Sequence, residues 1–236
     1  MPVKSSLQKI ALTQPKYLQT LTENRRIFNL QHCELNVFES YEPTYHVPLT
    51  FEDFVITSMV RGKKIMHLHD QPAFEYLPGE SVIVPAHETM VIDFPEATAS
   101  DPTQCIALAV DSTYIRNTLQ YLNGYYNSAE DEKNDWHLHF SQYHFNNDTD
   151  VSELIDKLIR ICSGADRSKN IYADLSLKEL LIRIAQSQQL QKLADERNSV
   201  SEVGLQCGFS DVNYFVRIFH RSEGLTPGAY RLICRK

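Results

Sequence analysis

The spacing of hydrophobic and polar positions changes character three times along the chain. Residues 1–30, which include SLQKIALTQPKYLQTLTENRR, have helical spacing and end in a charged pair, predicting a helix that leads into the first domain. From Gln31 to Asp111 the apolar residues gather in short runs broken by Pro, Gly or Asp: ELNVFESYEP, FEDFVITSMVRG, KKIMHLHD, AFEYLPGESVIVPA, TMVIDFPEA and TQCIALAVD. Runs of this length and punctuation predict antiparallel strands forming a sandwich or barrel. STYIRNTLQYLNGYY, residues 112–126, predicts a helix with Ile115, Leu119 and Leu122 on one side. A polar stretch follows, and its alternating histidines suggest a strand that returns to the sheet. Two amphipathic helices come next. Asp150 with Glu153 is expected to open DVSELIDKLIRICSG, and Ser176 with Glu179 to cap SLKELLIRIAQSQQLQKL.

The last stretch, Ser199 to Arg231, has the densest local signals. Ser199 with Glu202 fits a capping box, Val200, Val203 and Leu205 give a short helix its apolar residues, and Gly208 suits its stop. Ser210 or Asp211 can cap a second helix running to about Arg221. Gly224 ends it, and Pro227 suits the first turn of a third. Two short helices joined by a tight glycine turn form a helix-turn-helix, whose second helix enters a DNA major groove. In that helix Tyr214, Phe215, Ile218 and Phe219 make a single apolar stripe, leaving Val212, Asn213, Val216, Arg217 and His220 to face outwards. Asn pairs bidentately with adenine, Arg with guanine, and Val packs on a thymine methyl. By spacing alone, a solvated face on a small helical unit is an equally good account.

G-F-S-D-x-N-Y-F-x-R-x-F followed by E-G-L-T-P-G-A-Y-R resembles the second helix-turn-helix of AraC/XylS-type transcription regulators. One position departs: Gly204 stands where that family usually has alanine, which should loosen the first helix by about 0.5–1 kcal/mol. Upstream, Pro78-Gly79-Glu80-Ser81-Val82-Ile83-Val84-Pro85 resembles the turn and strand of a cupin jelly roll, the usual sensor fold of the same family. The resemblance implies an α+β chain: a cupin-like β-barrel or jelly roll with helices, then a small all-α helix-turn-helix unit. It divides the chain into a sensing domain with its leading helix (1–146), linking and dimerising helices (147–190) and a DNA-binding unit (191–236). It also implies DNA contacts from Ser210, Asp211, Val212, Asn213, Val216, Arg217 and His220, a small-molecule effector, and a homodimer paired through the helices of 150–190. Plain packing of those helices against the sheet is the competing account. The family has two helix-turn-helix units joined by a long helix. Here LQKLADERNS resembles the end of that joining helix, and no first unit is found before it. A shortened family member that acts through dimerisation or ligand binding, without holding DNA alone, is therefore the alternative reading.

A metal-dependent cupin enzyme is the third reading. His67 and His69 sit two apart on a strand, and Glu75 follows on the next. Metal cupins use two such histidines, a glutamate and a later histidine. Here the spacing from His69 to Glu75 and on to Gly79 departs from that pattern, Glu75 falls near a hairpin end, and His87 comes soon after Pro85, where a fourth ligand would more often lie well down a later strand. His67 and His69 are expected to be polar or pocket-lining strand residues, and His137, His139 and His144 to belong to an alternating strand. We expect no metal, no cofactor and no enzymatic activity. The aromatics Phe38, Tyr41, Tyr45, Phe51, Phe54, Phe74 and Tyr76 would fill a core or line an apolar cavity.

Charge changes this picture only once it is divided. The 236-residue chain has a net charge of −7, but residues 190–236 carry +2, so the body before them carries −9. An acidic sensor joined to a mildly basic reader fits this asymmetry, and the small basic excess predicts weak DNA binding by one copy. The five cysteines, Cys33, Cys105, Cys162, Cys207 and Cys234, are widely spaced and odd in number, which argues for a reducing compartment and against a zinc site. With no apolar leader and no long apolar run, the expectation is a cytoplasmic protein without a membrane span.

Overall fold

In the computed structural model, residues 4–68, 72–126, 144–194, 199–206 and 211–234 are described. They form ten strands and six α-helices. The strands are β1 (Asn24–Asn29), β2 (Cys33–Ser40), β3 (Thr44–Thr50), β4 (Phe54–Arg61), β5 (Lys64–His67), β6 (Phe74–Tyr76), β7 (Glu80–Val84), β8 (Thr89–Phe94), β9 (Thr103–Val110) and β10 (His144–Asn146). The helices are α1 (Ser112–Tyr126), α2 (Thr149–Ser163), α3 (Lys169–Ala194), α4 (Val200–Gln206), α5 (Val212–Glu223) and α6 (Pro227–Cys234). By contacts the chain divides into two units, residues 2–114 with 140–180, and 115–139 with 181–236.

Two antiparallel sheets build the first unit, in the orders β1-β2-β9-β4-β7-β10 and β3-β8-β5-β6. Their inward faces alternate as strands must, and Phe38, Val55, Met59, Met66, Tyr76, Val82, Met90, Phe94 and Ala107 share one core. The α+β class and the jelly-roll-like β part expected from the sequence are both present, and each predicted β run contains a strand. Of the expected core aromatics, Phe38, Phe51 and Tyr76 are in the cluster and Phe74 packs against it. Phe54 is buried outside that cluster, and Tyr45 is exposed. Gly79, at φ 82°, makes the turn into β7, where the Glu80 amide donates to the Leu77 carbonyl.

The first thirty residues correct the expected helix. Among the described residues up to Leu30 only a 3₁₀ turn, Pro15–Tyr17, is helical, and Asn24–Asn29 pairs with β2 as an edge strand. The strap before it is extended and tied down. Ser5 donates its amide to the Asn147 carbonyl and accepts from the Ser152 hydroxyl, while the Gln8 amide donates to Asp156 of α2. Leu7 is buried, and the Thr13 amide reaches Glu39 of β2. Tertiary partners replace the intrahelical bonds that the spacing alone suggested.

Helices α2 and α3 both begin earlier than expected. The N-cap of α2 is Asp148, whose carboxylate accepts from the Val151 amide, so Asp150 falls inside the first turn. Helix α3 starts at Lys169, which puts Ser176 in its interior. There its hydroxyl donates back to the Tyr172 carbonyl four residues earlier. Helix α1 forms as expected, capped by Asp111, with Ile115 and Leu122 buried.

Candidate nucleic-acid interface

Helix α4 opens on a complete capping box. The Ser199 amide donates to Glu202 Oε2 at 2.6 Å, and the Glu202 amide donates to Ser199 Oγ at 3.0 Å. The hydrogen bond from the backbone draws the Glu202 carboxyl below its usual pKa. Asp211 caps α5, its Oδ1 accepting from the amides of Asn213 (2.7 Å) and Tyr214 (3.3 Å). Gly224 then ends α5 in the left-handed conformation at φ 69°, its amide donating to the His220 carbonyl. The Thr226 hydroxyl accepts from the Ala229 amide at the head of α6, with Pro227 in the first turn.

A small core holds these helices together: Val203, Phe215 and Phe219 are buried, with Val200, Val216 and Tyr230 packed against them. The Phe219 ring meets Phe215 and Tyr230 edge-on at 5.7 and 5.5 Å. Gly204 is part of this packing. A Cβ there would stand 3.0 Å from Phe215 Cδ1, so the absent methyl lets the Phe215 ring lie on α4. The loosening expected from this glycine is thus accompanied by a close helix–helix approach.

The buried side of α5 differs from the expected stripe. Phe215 and Phe219 are inside, but Tyr214 is 40% exposed, and Val216 is half-buried against the core. The core side is therefore turned toward Val216 and away from Tyr214. Asn213, Arg217 and His220 are exposed as expected, and Val212 is intermediate. Asp211 is engaged as the helix cap. Ser210 lies outside the described residues. Tyr214 and Arg221 are exposed as well, and neither was expected among the outward residues. The signal that could have found Tyr214 is its place in the helix: at i, i+3 and i+7, Tyr214, Arg217 and Arg221 fall on one line. The Arg217 guanidinium carbon stands 5.7 Å from the centre of the Tyr214 ring.

The metal candidates are dispersed. His67 Nε2 is 2.8 Å from Asp93 Oδ2, and the His46 amide donates to the other Asp93 oxygen at 2.7 Å. Burial opposes ionisation of Asp93, but these hydrogen bonds outweigh it and hold the carboxyl below its usual range. Glu75 is exposed and pairs with Lys63, while His87 pairs with Glu52 at the surface. His144 stacks on Phe74 and faces Glu80. His69, His137 and His139 lie outside the described residues. Among the described residues no group of three or more His, Cys, Asp or Glu side chains is arranged to hold a metal, and no helix is long and apolar enough to cross a membrane.

Two features of the β unit escaped sequence reading. Lys64 is buried in the sandwich, its Nζ 3.0 Å from both Glu23 Oε1 and Cys105 Sγ and above the Phe94 ring. Burial opposes its charge, but Cys105 and Glu23 more than compensate and raise its pKa. Beside β1 lies an open cleft of about 270 Å³, whose lining includes Thr13, Tyr17, Asn24 and Arg25.

Comparison with known proteins falls in two adjoining segments. Residues 32–192 match the family model of the AraC-type transcriptional regulator N-terminus, and residues 191–232 match the bacterial regulatory helix-turn-helix proteins of the AraC family. The two matches overlap at residues 191 and 192. Fifty residues are 44% identical to the HTH-type transcriptional activator RhaR of Salmonella heidelberg (strain SL476), covering 21% of this chain and 17% of that protein. Thirty-two residues are 56% identical to the uncharacterized HTH-type transcriptional regulator YpdC of Escherichia coli (strain K12), covering 14% and 11%. The matched segments thus span under a fifth of those relatives. An apo ToxT crystal structure from Vibrio cholerae strain SCE256 superposes with a TM-score of 0.46 at 10% identity, covering 87% of this chain and 98% of that one. With the N-terminal family model spanning residues 32–192 and the helix-turn-helix model running from residue 191 to 232, the protein belongs to the AraC-type transcriptional regulators.

Proposed function

We propose that this chain is a DNA-binding transcription regulator whose N-terminal β unit responds to a small molecule. The observation that carries the reading is the AraC-type helix-turn-helix match at residues 191–232, in which α5 leaves Asn213, Arg217 and His220 exposed. In this role Asn213 and Arg217 read base edges. A good bidentate contact contributes about 1–3 kcal/mol of discrimination against a wrong base. Val212 packs at the groove wall, and Asp211, with Ser210 beside it, sets the start of the helix. One such helix per chain makes few phosphate contacts, so a single copy holds DNA in the non-specific range, a Kd of about 10⁻⁴–10⁻⁶ M. Two copies whose recognition helices span one turn of DNA recover specificity.

The homodimer this requires pairs through residues 147–190. Ile171 and Leu175, one helical turn apart on α3, are 64% and 59% exposed and support that pairing. Sedimentation of the full chain should show a dimer, and Leu175→Glu should shift it toward monomer.

The deciding experiment is selection of the full chain against random duplexes at low and moderate salt, with Asn213→Ala/Arg217→Ala alongside. An enriched motif that the double variant loses supports the reading. Weak, salt-sensitive binding equal in both proteins overturns it. That result would favour the second reading, a family member acting through dimerisation or ligand binding, for which the overlap of the two matches at residues 191 and 192 speaks.

A further inference from the structure

We infer that Tyr214 is a positioning residue for Arg217, holding its guanidinium ready for DNA before DNA arrives. This inference rests on the DNA-binding reading proposed above. An aromatic ring in the first turn of a helix with a small core would ordinarily be inside it. Phe215 and Phe219 do take that role, whereas Tyr214 is 40% exposed. Its ring lies against the Arg217 guanidinium at 5.7 Å. Asp211, which caps the Tyr214 amide, also anchors the turn that carries the ring.

Arginine's long side chain loses much rotamer freedom when it docks on a base or phosphate, and ordering it beforehand removes part of that cost. The planar guanidinium stacks on an aromatic face while its edge N–H groups stay available for two parallel hydrogen bonds. The exposed side of α5 therefore has two lines that share Arg217: Asn213, Arg217 and His220, and Tyr214, Arg217 and Arg221. The first supplies groups that read bases; the second supplies the support and a further positive charge.

Binding of full-length variants to the duplex selected by the wild type tests this, with thermal melts alongside to register any loss of fold. Tyr214→Phe keeps the ring face and should bind within about twofold of wild type. Tyr214→Leu keeps the bulk without the ring, and should lose about three- to tenfold on the selected duplex while binding random duplex unchanged. In an Arg217→Ala background, Tyr214→Leu should cost nothing further. Wild-type affinity for Tyr214→Leu, or an equal loss with and without Arg217, would overturn the inference. In the free protein, the side-chain protons of Arg217 should show a ring-current shift that Tyr214→Leu abolishes, and absence of that shift would sink the pairing itself. If the wild type selects no motif, the DNA-binding reading fails and the role in DNA fails with it. The ring-current measurement then still decides whether the two side chains pair.

Discussion

The β sandwich and the C-terminal helices are held together in different ways. In the sandwich, sixteen buried residues form one cluster between two sheets, and central strand β9 is buried along its whole length. In the helices from Val200 onward, the described core is three buried residues, Val203, Phe215 and Phe219. A core that small leaves little margin over conformational entropy. Local devices bear more of the weight there: the Ser199–Glu202 box, the Asp211 and Thr226 caps and left-handed Gly224. The difference teaches that equal insults should have unequal results.

The sharpest break is a matched pair of truncations. Phe215→Ala should cost about 3–5 kcal/mol and leave the C-terminal helices without a folded state, whereas Met59→Ala, at about 2–5 kcal/mol, should lower the sandwich's melting point while it stays folded. Amide hydrogen exchange resolved by region checks both. Next comes Lys64→Met, which leaves Glu23 without its ammonium partner inside the sandwich. A loss of about 3 kcal/mol is expected there with the helices unaffected, as read by denaturant midpoints.

Acid should separate the regions in a third way. Glu39, Glu80 and Asp93 all resist ionisation through burial, but their hydrogen bonds prevail and depress their pKa values: Tyr41, Thr13 and Gln104 on Glu39, Lys4 and His144 on Glu80, and His46 and His67 on Asp93. Their stabilisation is complete above the unfolded carboxylate range of about pH 4 and disappears as pH falls through the lower folded values. Asp156, raised by burial, works in the opposite sense: it favours the fold when protonated and offsets part of the loss. Between about pH 5 and pH 3 the sandwich should lose more stability than the helices, which region-resolved circular dichroism or NMR melts would register. A smaller effect is expected from Asp211→Ala, about 1 kcal/mol from the helices alone, as a shift in their denaturant midpoint. Smallest is Gly204→Ala. Its gain in helix propensity of about 1 kcal/mol opposes a Cβ only 3.0 Å from the Phe215 ring, so the melting point should barely move.

The sequence announced much of what local chemistry decides. The Ser199–Glu202 box, the stop at Gly224 and the Pro–Gly punctuation of the strands depend on residues a few places apart, and all are found. What it concealed depends on distant partners. Strand β1 reads NRRIFN, a polar edge strand that only pairing with β2 defines. Ser176 has the look of a cap, yet it is interior because α3 already begins at Lys169. On α5 the choice between Tyr214 and Val216 as the inward residue turns on where Val203 and Tyr230 lie, which no periodicity states. The burial of Lys64 was hidden for the same reason, since its partners Glu23 and Cys105 are each 41 positions away.

The strap at the start of the chain has a consequence in time as well as in space. The Gln8 amide waits for Asp156, 148 positions later, and the Ser5 carbonyl for Ser152, 147 positions later. A ribosome releases residue 8 long before it makes residue 156. During synthesis the first segment must therefore stay unpaired while the sheets assemble behind it. Closure over such a separation is slow to find, and exposed segments that wait for it are prone to wrong partners. Residues 5 and 8, made before their partners, are among the last to settle.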